Sequence, residues 1–219
     1  EPRLAPLADA NWAEAWREHF HPLAVGRALL IAPPWETPAA NSRLVITIEP
    51  GRAFGTGHHG TTAGCLAALE SILARGPVER AIDLGTGSGI LAIAAARLGV
   101  QAVLAVDEDP DAVASAVANA ARNRVCDRVR CVLGDAGDVH GAPAALVLAN
   151  IMKAAHLRLA GVYRRCLTPG GTLLLGGILD AEAPEVVAAL APYGLDRRAA
   201  SSREGWTTLE LVRTPNVHA

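Results

Sequence analysis

A short apolar run, Ala81 to Leu84, leads into a loop with glycine at every second position: Gly85, Gly87 and Gly89. Glycine is needed where a ligand approaches the backbone closely or where the backbone takes a positive φ. Helix-forming residues follow, so the free N–H groups of a helix start face the same space. In open α/β sheets, ligands bind at such loops, outside the carboxyl ends of the strands. The pattern therefore predicts a ligand site that includes Gly85 and Gly87.

An acidic residue ends the next predicted strand, in the sequence Ala105-Val106-Asp107. A carboxylate at that position can accept hydrogen bonds from both hydroxyls of a ribose. Two strand ends would then hold one nucleoside. Asp83, two residues before Gly85, is expected to support the turn and to belong to the same site.

The glycine spacing distinguishes between nucleoside ligands. Dinucleotide-binding loops follow GxGxxG and place a helix N-terminus against a pyrophosphate. This loop follows GxGxG, and Ile90 occupies the position where the dinucleotide pattern needs glycine. The spacing resembles the first motif of class I methyltransferases, whose cofactor carries no phosphate, and it disfavours a nicotinamide-dependent dehydrogenase. The literal GxGxxG at Gly55 to Gly60 is interpreted as accidental, because it is displaced from the strand before it.

Asn150 follows another apolar strand, Ala145 to Ala149. Its neutral side-chain oxygen can accept an N–H bond and thereby aim the lone pair of an amine at an electrophile. Capping of the next helix is the alternative role. Strand-end residues of such sheets face the ligand, which favours the catalytic role. His58 and His59 are adjacent in a loop without an evident third ligand, so we predict no metal site.

The elements that position these residues alternate between strands and helices. Strands are predicted at 27–32, 43–48, 80–84, 101–106, 128–133, 145–149, 172–175, 195–199 and 206–212, and helices at 11–20, 61–73, 90–98, 110–123, from 150 to 167, and at 181–191. The alternation implies a parallel sheet with helices on both faces, and the last two strands imply an antiparallel edge hairpin. The predicted fold is therefore α/β, doubly wound and mostly parallel.

Composition disfavours several other classes of protein. The 219 residues carry a net charge of −2 and form no basic stripe, so we expect no direct nucleic-acid binding. No apolar run reaches about 20 residues, which a membrane span needs, and no signal peptide is evident. The four cysteines form no CxxC pair. They are expected to be free thiols of a reducing compartment, which predicts a cytoplasmic protein.

Three groups of glycine-rich loops and strand ends together resemble the PrmA-type methyltransferases, which modify large-subunit ribosomal protein number eleven. They are 49–62; 83–95 with 107–110 and 119–123; and 147–151 with 168–171 and 176–179. A weaker likeness lies at 11–22, so the resemblance covers nearly the whole chain. The loop at 49–62 is its most specific part.

The resemblance implies a Rossmann-like class I methyltransferase with a seven-stranded sheet and S-adenosylmethionine as cofactor. The implied reaction is methylation of a protein amine, either a lysine ε-amine or an N-terminal α-amine. The implied cofactor-binding residues lie on the two loops and the strand ends: Phe54, Gly55, Thr56, Gly57, Thr62, Asp83, Gly85, Gly87, Asp107 and Asn150. Of these, Asn150 would also be the catalytic residue, beside the reacting methyl group.

The chain is predicted to consist of an N-terminal segment and one domain. Residues 1–42 are interpreted as a helix and strand segment, the remnant of a linker to a substrate-recognition domain that family members carry. Residues 43–219 are the expected S-adenosylmethionine-binding domain. The partner that this resemblance implies is a ribosomal protein. The alternatives are another protein lysine, a small-molecule acceptor, or a module that binds the cofactor without catalysis.

Overall fold

The computed structural model describes residues 20–36, 38, 42–50 and 59–214. Of the helix predicted at 11–20, only Phe20 lies within these ranges. The loop residues Phe54, Gly55, Thr56 and Gly57 lie outside them.

Strands and helices alternate along most of the described chain. The strands are β1 (Leu23–Val25), β2 (Leu29–Ala32), β3 (Leu44–Thr47), β4 (Arg80–Leu84), β5 (Ala102–Asp107), β6 (Val129–Leu133), β7 (Ala144–Asn150), β8 (Leu167–Leu179), β9 (Leu195–Arg203) and β10 (Trp206–Arg213). The α-helices are α1 (Gly60–Leu73), α2 (Ile90–Arg97), α3 (Pro110–Arg122), α4 (Lys153–Arg158), α5 (Ala160–Cys166) and α6 (Ala183–Leu190). Within the described ranges, none of the helices is long and apolar enough to cross a bilayer.

Seven strands form the main sheet, in the order β6-β5-β4-β7-β8-β10-β9. The pairs from β6 to β8 are parallel, whereas β10 is antiparallel to both β8 and β9. The predicted mostly parallel sheet with an edge hairpin is therefore confirmed. The chain moves from β4 outward to β5 and β6 and then crosses to β7 on the other side. A crevice opens at such a reversal, between the carboxyl ends of the strands.

The central strands are apolar on both faces because helices cover both faces. In β7, Leu146 and Leu148 are fully buried in one core, together with residues of α1 and α2. The alternate residues Val147 and Ala149 are buried in the second core, together with residues of α5 and α6. Successive side chains of a strand point to opposite faces, so a strand between two helical layers is a continuous apolar run.

Two local features differ from the predictions. The single helix predicted between 150 and 167 is two short helices, because Leu159 has φ −91° and ψ 5° and leaves the helical conformation. Strand β8 extends beyond the predicted 172–175 at both ends, and its pairing with β7 shifts register between Ala144 and Leu146. An irregular strand of this kind has no simple periodic pattern, so its ends were not evident from sequence.

A smaller three-stranded sheet, β1-β2-β3, is held against helix α3. Asn123 Nδ2 donates to the carbonyl oxygen of Thr47 at 2.7 Å, and its Oδ1 accepts from the N–H of Thr47 at 2.9 Å. The N–H of Glu49 donates to Asn119 Oδ1 at 3.1 Å. These bonds fix the chain just before residue 51. Because β3 pairs with β2, the sheet joins strands from both sides of the predicted boundary at residues 42 and 43; the division into two parts stays a prediction.

Candidate functional site

A cavity of about 860 Å³ opens at the carboxyl edge of the main sheet. Its walls include five of the predicted site residues: Asp83, Gly85, Gly87, Asp107 and Asn150. These residues lie close together because β5, β4 and β7 are neighbours in the sheet. The ends of the three strands therefore border one space.

The first wall is the glycine loop between β4 and α2. Gly85 has φ +73°, a conformation that residues with a Cβ rarely adopt. A Cβ at this position would also lie 2.5 Å from Cγ2 of Ile151. The loop therefore requires glycine for its backbone conformation and for its close approach to the segment that follows β7.

The carboxylate of Asp107 ties the end of β5 to the glycine loop. The N–H of Gly87 donates to Oδ2 at 2.8 Å, and the N–H of Asp109 donates to Oδ1 at 3.1 Å. A carboxylate has about four lone-pair sites, so both oxygens retain acceptor capacity. Asp107 also lines the cavity. It can therefore accept hydrogen bonds from the hydroxyls of a bound molecule.

Asp83 is buried beneath the same loop. Thr86 Oγ1 donates to its Oδ2 at 2.7 Å, whereas its Oδ1 has no hydrogen-bond partner among the described residues. Burial raises the pKa of Asp83 to about 7. The Thr86 bond and the nearby backbone N–H of Ala92 lower this pKa, and the negative charge of Asp107 raises it. A buried carboxylate oxygen without a donor, on the wall of a cavity, is suited to a cationic group of a ligand.

Asn150 ends β7 and pairs with Gly176 of β8. Thr61 Oγ1 donates to its Oδ1 at 2.9 Å, and its Nδ2 donates to Thr62 Oγ1 at 3.3 Å. The following helix begins at Lys153 with the N-cap position at Met152. The alternative role of Asn150 as a helix cap is therefore wrong. Its side chain lies on the cavity wall, held by two threonines of α1.

Thr62 is placed differently from the other described site residues. It is fully buried and accepts the Asn150 bond, while its neighbour Thr61 lines the cavity. The role of Thr62 in cofactor binding stays a prediction. Phe54, Gly55, Thr56 and Gly57 fall outside the described residues, so their roles stay predictions as well.

Sequence reasoning missed other residues of the cavity, among them Thr61, Met152 and Trp206. Trp206 begins β10, and its ring lies edge-on to His59, with the ring centroids 4.8 Å apart. Met152 is 77% exposed, which leaves it available to an incoming molecule. No local spacing connects Trp206 with Asn150, because the two meet only through the strand order.

The charges around the cavity are mainly acidic. Asp107, Glu108 and Asp109 lie together on its wall. Arg158 also contributes to the wall, but its guanidinium is paired with Asp135 at 3.1 Å. Such a balance favours a cationic ligand. In the part of the chain that the structure describes, no group of three or more His, Cys, Asp or Glu residues is placed to hold a metal ion.

The sequence matches a known family over nearly its full length. Residues 2–214 match the family described as ribosomal protein L11 methyltransferase (PrmA). A relative from Trichlorobacter lovleyi, named ribosomal protein L11 methyltransferase, is 43% identical over 223 aligned positions. That alignment covers 98% of this chain and 72% of the relative.

Solved structures are similar as well. A crystal structure described as ribosomal protein L11 methylase, from Lactobacillus delbrueckii subsp. bulgaricus, has a TM-score of 0.81 and 31% identity and covers 90% of this chain and 100% of that chain. An RNA methyltransferase from Salinibacter ruber, in complex with S-adenosyl-L-homocysteine, has a TM-score of 0.58 and 20% identity over 70% of this chain and 92% of that chain. The second likeness concerns the fold alone. Both proteins share the sheet architecture predicted for this chain.

Proposed function

Because this chain belongs to the ribosomal protein L11 methyltransferase (PrmA) family, we propose that it transfers methyl groups from S-adenosylmethionine to amino groups of ribosomal protein L11. The acceptors in this proposal are lysine ε-amines, the N-terminal α-amine, or both. The observation that carries it is the family match over residues 2–214. The cavity described above supports it independently, through the chemistry of its walls.

The described residues fit the proposed cofactor. A cavity of about 860 Å³ lies within the range of small-molecule sites, roughly 300–1,000 Å³. S-adenosylmethionine carries a sulfonium and an ammonium group, and the cavity has an acidic wall that includes Asp83, whose buried Oδ1 has no hydrogen-bond partner among the residues that the structure describes. The cofactor has no phosphate, in agreement with a GxGxG loop that lacks the third glycine of dinucleotide sites.

In this proposal, the residues at the ends of β4 and β5 bind the cofactor. The Asp107 carboxylate accepts hydrogen bonds from the ribose hydroxyls, while the N–H of Gly87 holds it in place. The Asp83 carboxylate binds the ammonium group, and Gly85 allows the cofactor to approach the backbone. When bound, S-adenosylmethionine supplies a methyl group that its sulfonium already makes electrophilic.

Asn150 is proposed to orient the acceptor. A lysine amine has a pKa of ~10.4 in water and must lose a proton to solvent before it can attack. Asn150 Oδ1 accepts one remaining N–H of the neutral amine, which aims the lone pair at the methyl carbon. The amine then forms an N–C bond as the C–S bond breaks, and the product ammonium releases a proton to water. Most of the acceleration comes from proximity and orientation, so a neutral amide suffices.

The rim of the cavity suits a protein acceptor. Met152 is exposed there, and Trp206 forms an aromatic part of the wall. Aromatic and thioether surfaces can contact the apolar stem of a lysine side chain while its nitrogen reaches the cavity. The name of the Trichlorobacter lovleyi relative supports L11 as the acceptor. A cytoplasmic location, where ribosomal proteins are available, is part of the proposal.

Incubation of the purified protein with methyl-labelled S-adenosylmethionine and L11 tests the proposal. We expect label in L11 and an increase of its intact mass by whole methyl groups, with a far lower initial rate of labelling when Asn150→Ala replaces the wild type. Label only in another protein or only in a small molecule would replace L11 as the acceptor. Cofactor binding without transfer to any acceptor would establish a non-catalytic module and overturn the proposed activity.

A further inference from the structure

We propose that Thr61 is a positioning residue that fixes the orientation of the Asn150 carboxamide, so that its oxygen and not its NH₂ group meets the acceptor amine. The catalytic meaning of this inference rests on the proposed function. The orientation itself is a property of the chain alone. Thr61 belongs to α1, and it is 1% exposed on the inner wall of the cavity.

The direction of the hydrogen bonds follows from a backbone donor. The N–H of Gly177 donates to Thr61 Oγ1 at 2.5 Å, and a backbone N–H cannot exchange its role for that of an acceptor. The hydroxyl in turn directs its only hydrogen to Asn150 Oδ1, at 2.9 Å. The oxygen and nitrogen of an Asn side chain are assigned from such networks. With Gly177 donating to Thr61 Oγ1, this network gives the Thr61 hydrogen an acceptor when the oxygen of Asn150 faces Thr61.

The other end of the carboxamide is occupied as well. Asn150 Nδ2 donates to Thr62 Oγ1 at 3.3 Å. The two neighbouring threonines of α1 thus bind the two ends of one amide. Both are buried, so water does not compete effectively for these groups, and loss of a partner leaves a buried polar group unsatisfied.

Two glycines of β8 make room for this arrangement. A Cβ on Gly176 would lie 2.7 Å from Asn150 Oδ1 and 2.8 Å from Thr61 Oγ1. Gly177 has φ +75°, and a Cβ there would lie 2.2 Å from the carbonyl oxygen of Ile151. With contacts this short, a side chain at either position would have to displace its neighbours. The Gly176-Gly177 pair, which was not among the predicted site residues, therefore allows the carboxamide, the hydroxyl and β8 to come together.

The orientation matters because an amide has two chemically opposite ends. The acceptor amine must keep its lone pair available for the methyl carbon. An amide oxygen accepts the N–H of the amine, and with two lone pairs it can serve Thr61 and the amine together. A reversed carboxamide would donate an N–H to the lone pair and withdraw the nucleophile from the reaction. Thr61 prevents this reversal by occupying the oxygen from the buried side.

The orientation is tested first without cofactor or acceptor. Thr61→Val removes the hydroxyl at nearly constant volume, Thr61→Ser retains it, and Thr168→Val is a matched control, since Thr168 Oγ1 binds Ala144 at the opposite end of β8. The probe is the pair of side-chain NH₂ signals of Asn150 in ¹⁵N-labelled protein, identified by their loss in Asn150→Ala. We expect Thr61→Val to shift or broaden this pair, and the other two variants to leave it near its wild-type position. Unchanged signals in Thr61→Val would overturn the inference.

A double-mutant cycle with L11 as acceptor tests the catalytic consequence. Thr61→Val should lower kcat by roughly 10–100-fold through misorientation, with the Kd for S-adenosylhomocysteine within about twofold of wild type. In an Asn150→Ala background the same change should have no further effect, and Thr61→Ser should restore kcat. An equal loss in both backgrounds, or a rise in Kd that matches the fall in kcat, would show a merely structural role. Where Thr61→Val fails to melt cooperatively, Thr61→Ala replaces it.

The two tests separate the failure of the inference from that of the proposed function. A wild type that labels no ribosomal protein overturns the proposed acceptor, and the NMR signals still decide whether Thr61 orients Asn150. A wild type that is active on L11 together with an equally active Thr61→Val overturns the inference and leaves the proposed function intact.

Discussion

The two sides of the cavity are built in different ways. On the side proposed for the cofactor, Asp83 is the penultimate residue of β4 and Asp107 is the last residue of the next strand, β5. Their bonds with Thr86 and Gly87 span 3 and 20 residues of sequence. On the side proposed for the acceptor, the bonds of Thr61 with Asn150 and Gly177 span 89 and 116 residues. One side is a local motif, whereas the other exists only once the sheet has formed.

The two sides of the cavity can therefore be perturbed separately. Changes on the cofactor side should mainly alter the affinity for S-adenosylmethionine. Changes on the acceptor side should mainly alter the rate of transfer from an enzyme already loaded with cofactor. The following substitutions test that division, in order of decreasing expected effect.

Asn150→Ala should lower kcat by roughly 100-fold, because the acceptor amine loses the group that orients its lone pair. The Kd for the cofactor should remain within about twofold of wild type. Steady-state methylation of L11 gives kcat, and calorimetry gives Kd. A Kd that rises by the same factor as kcat falls would abolish the division between the two sides.

Asp107→Ala should weaken cofactor binding by about 1–3 kcal/mol, because a charged hydrogen-bond partner is removed. The matched control is Asp127→Ala, since Asp127 is an exposed residue that pairs with Arg128 in the segment before β6. Titration calorimetry with S-adenosylhomocysteine measures both variants. An affinity that stays the same in Asp107→Ala would move the ribose site elsewhere.

Gly177→Ala should destabilise the protein by about 1–3 kcal/mol more than Gly170→Ala, because its Cβ would overlap packed backbone. Both glycines have positive φ, +75° and +78°, but a Cβ on Gly170 would meet nothing within 4 Å, whereas one on Gly177 would meet Ile151. Urea unfolding of both variants and the wild type gives the difference. Equal losses would indicate that the acceptor side is not tightly packed at this position.

Asp83→Asn should change the pH dependence of stability in the absence of cofactor. Burial raises the pKa of Asp83 from 3.8 to about 7 in the folded state. The folded protein therefore favours the neutral carboxyl more than the unfolded chain does. This contribution is fully present below pH 3.8 and is lost as the pH rises through about 7.

Melting temperatures of both proteins between pH 4 and pH 8 check this sign. The wild type should lose stability relative to Asp83→Asn as the pH rises, because the variant has no carboxyl to ionise at that position. Parallel melting curves over the whole range would contradict a raised pKa for Asp83.

Most of the fold could be predicted from the sequence, because local patterns of apolar residues, glycine and proline specify most of its strands and helices. The predicted strand 80–84 coincides with β4, and the predicted helix 90–98 differs from α2 (Ile90–Arg97) at one end only. The break at Leu159 and the irregular ends of β8 were not predicted, since both depend on packing between segments. Strand β1 was also missed, because three residues are too short for a periodic signal.

In the candidate site, too, residues that belong to local patterns could be predicted, whereas residues brought in by packing could not. Glycines at alternate positions and an acid at a strand end were sufficient to indicate Gly85 and Asp107, which the structure brings to one cavity. Asn150 was indicated by its position after an apolar strand. Thr61 and Trp206 could not be found in this way, because their partners are distant in sequence and meet them only through the strand order.

The division of the cavity into a binding side and a transfer side is tested most directly by one measurement. It is the single-turnover rate of L11 methylation as a function of S-adenosylmethionine concentration, for the wild type, Asp107→Ala and Asn150→Ala. We predict that Asp107→Ala approaches the wild-type rate at saturation, while Asn150→Ala levels off roughly 100-fold lower. An Asn150→Ala variant that reaches the wild-type rate once the cofactor saturates it would contradict the proposed role of this residue in transfer.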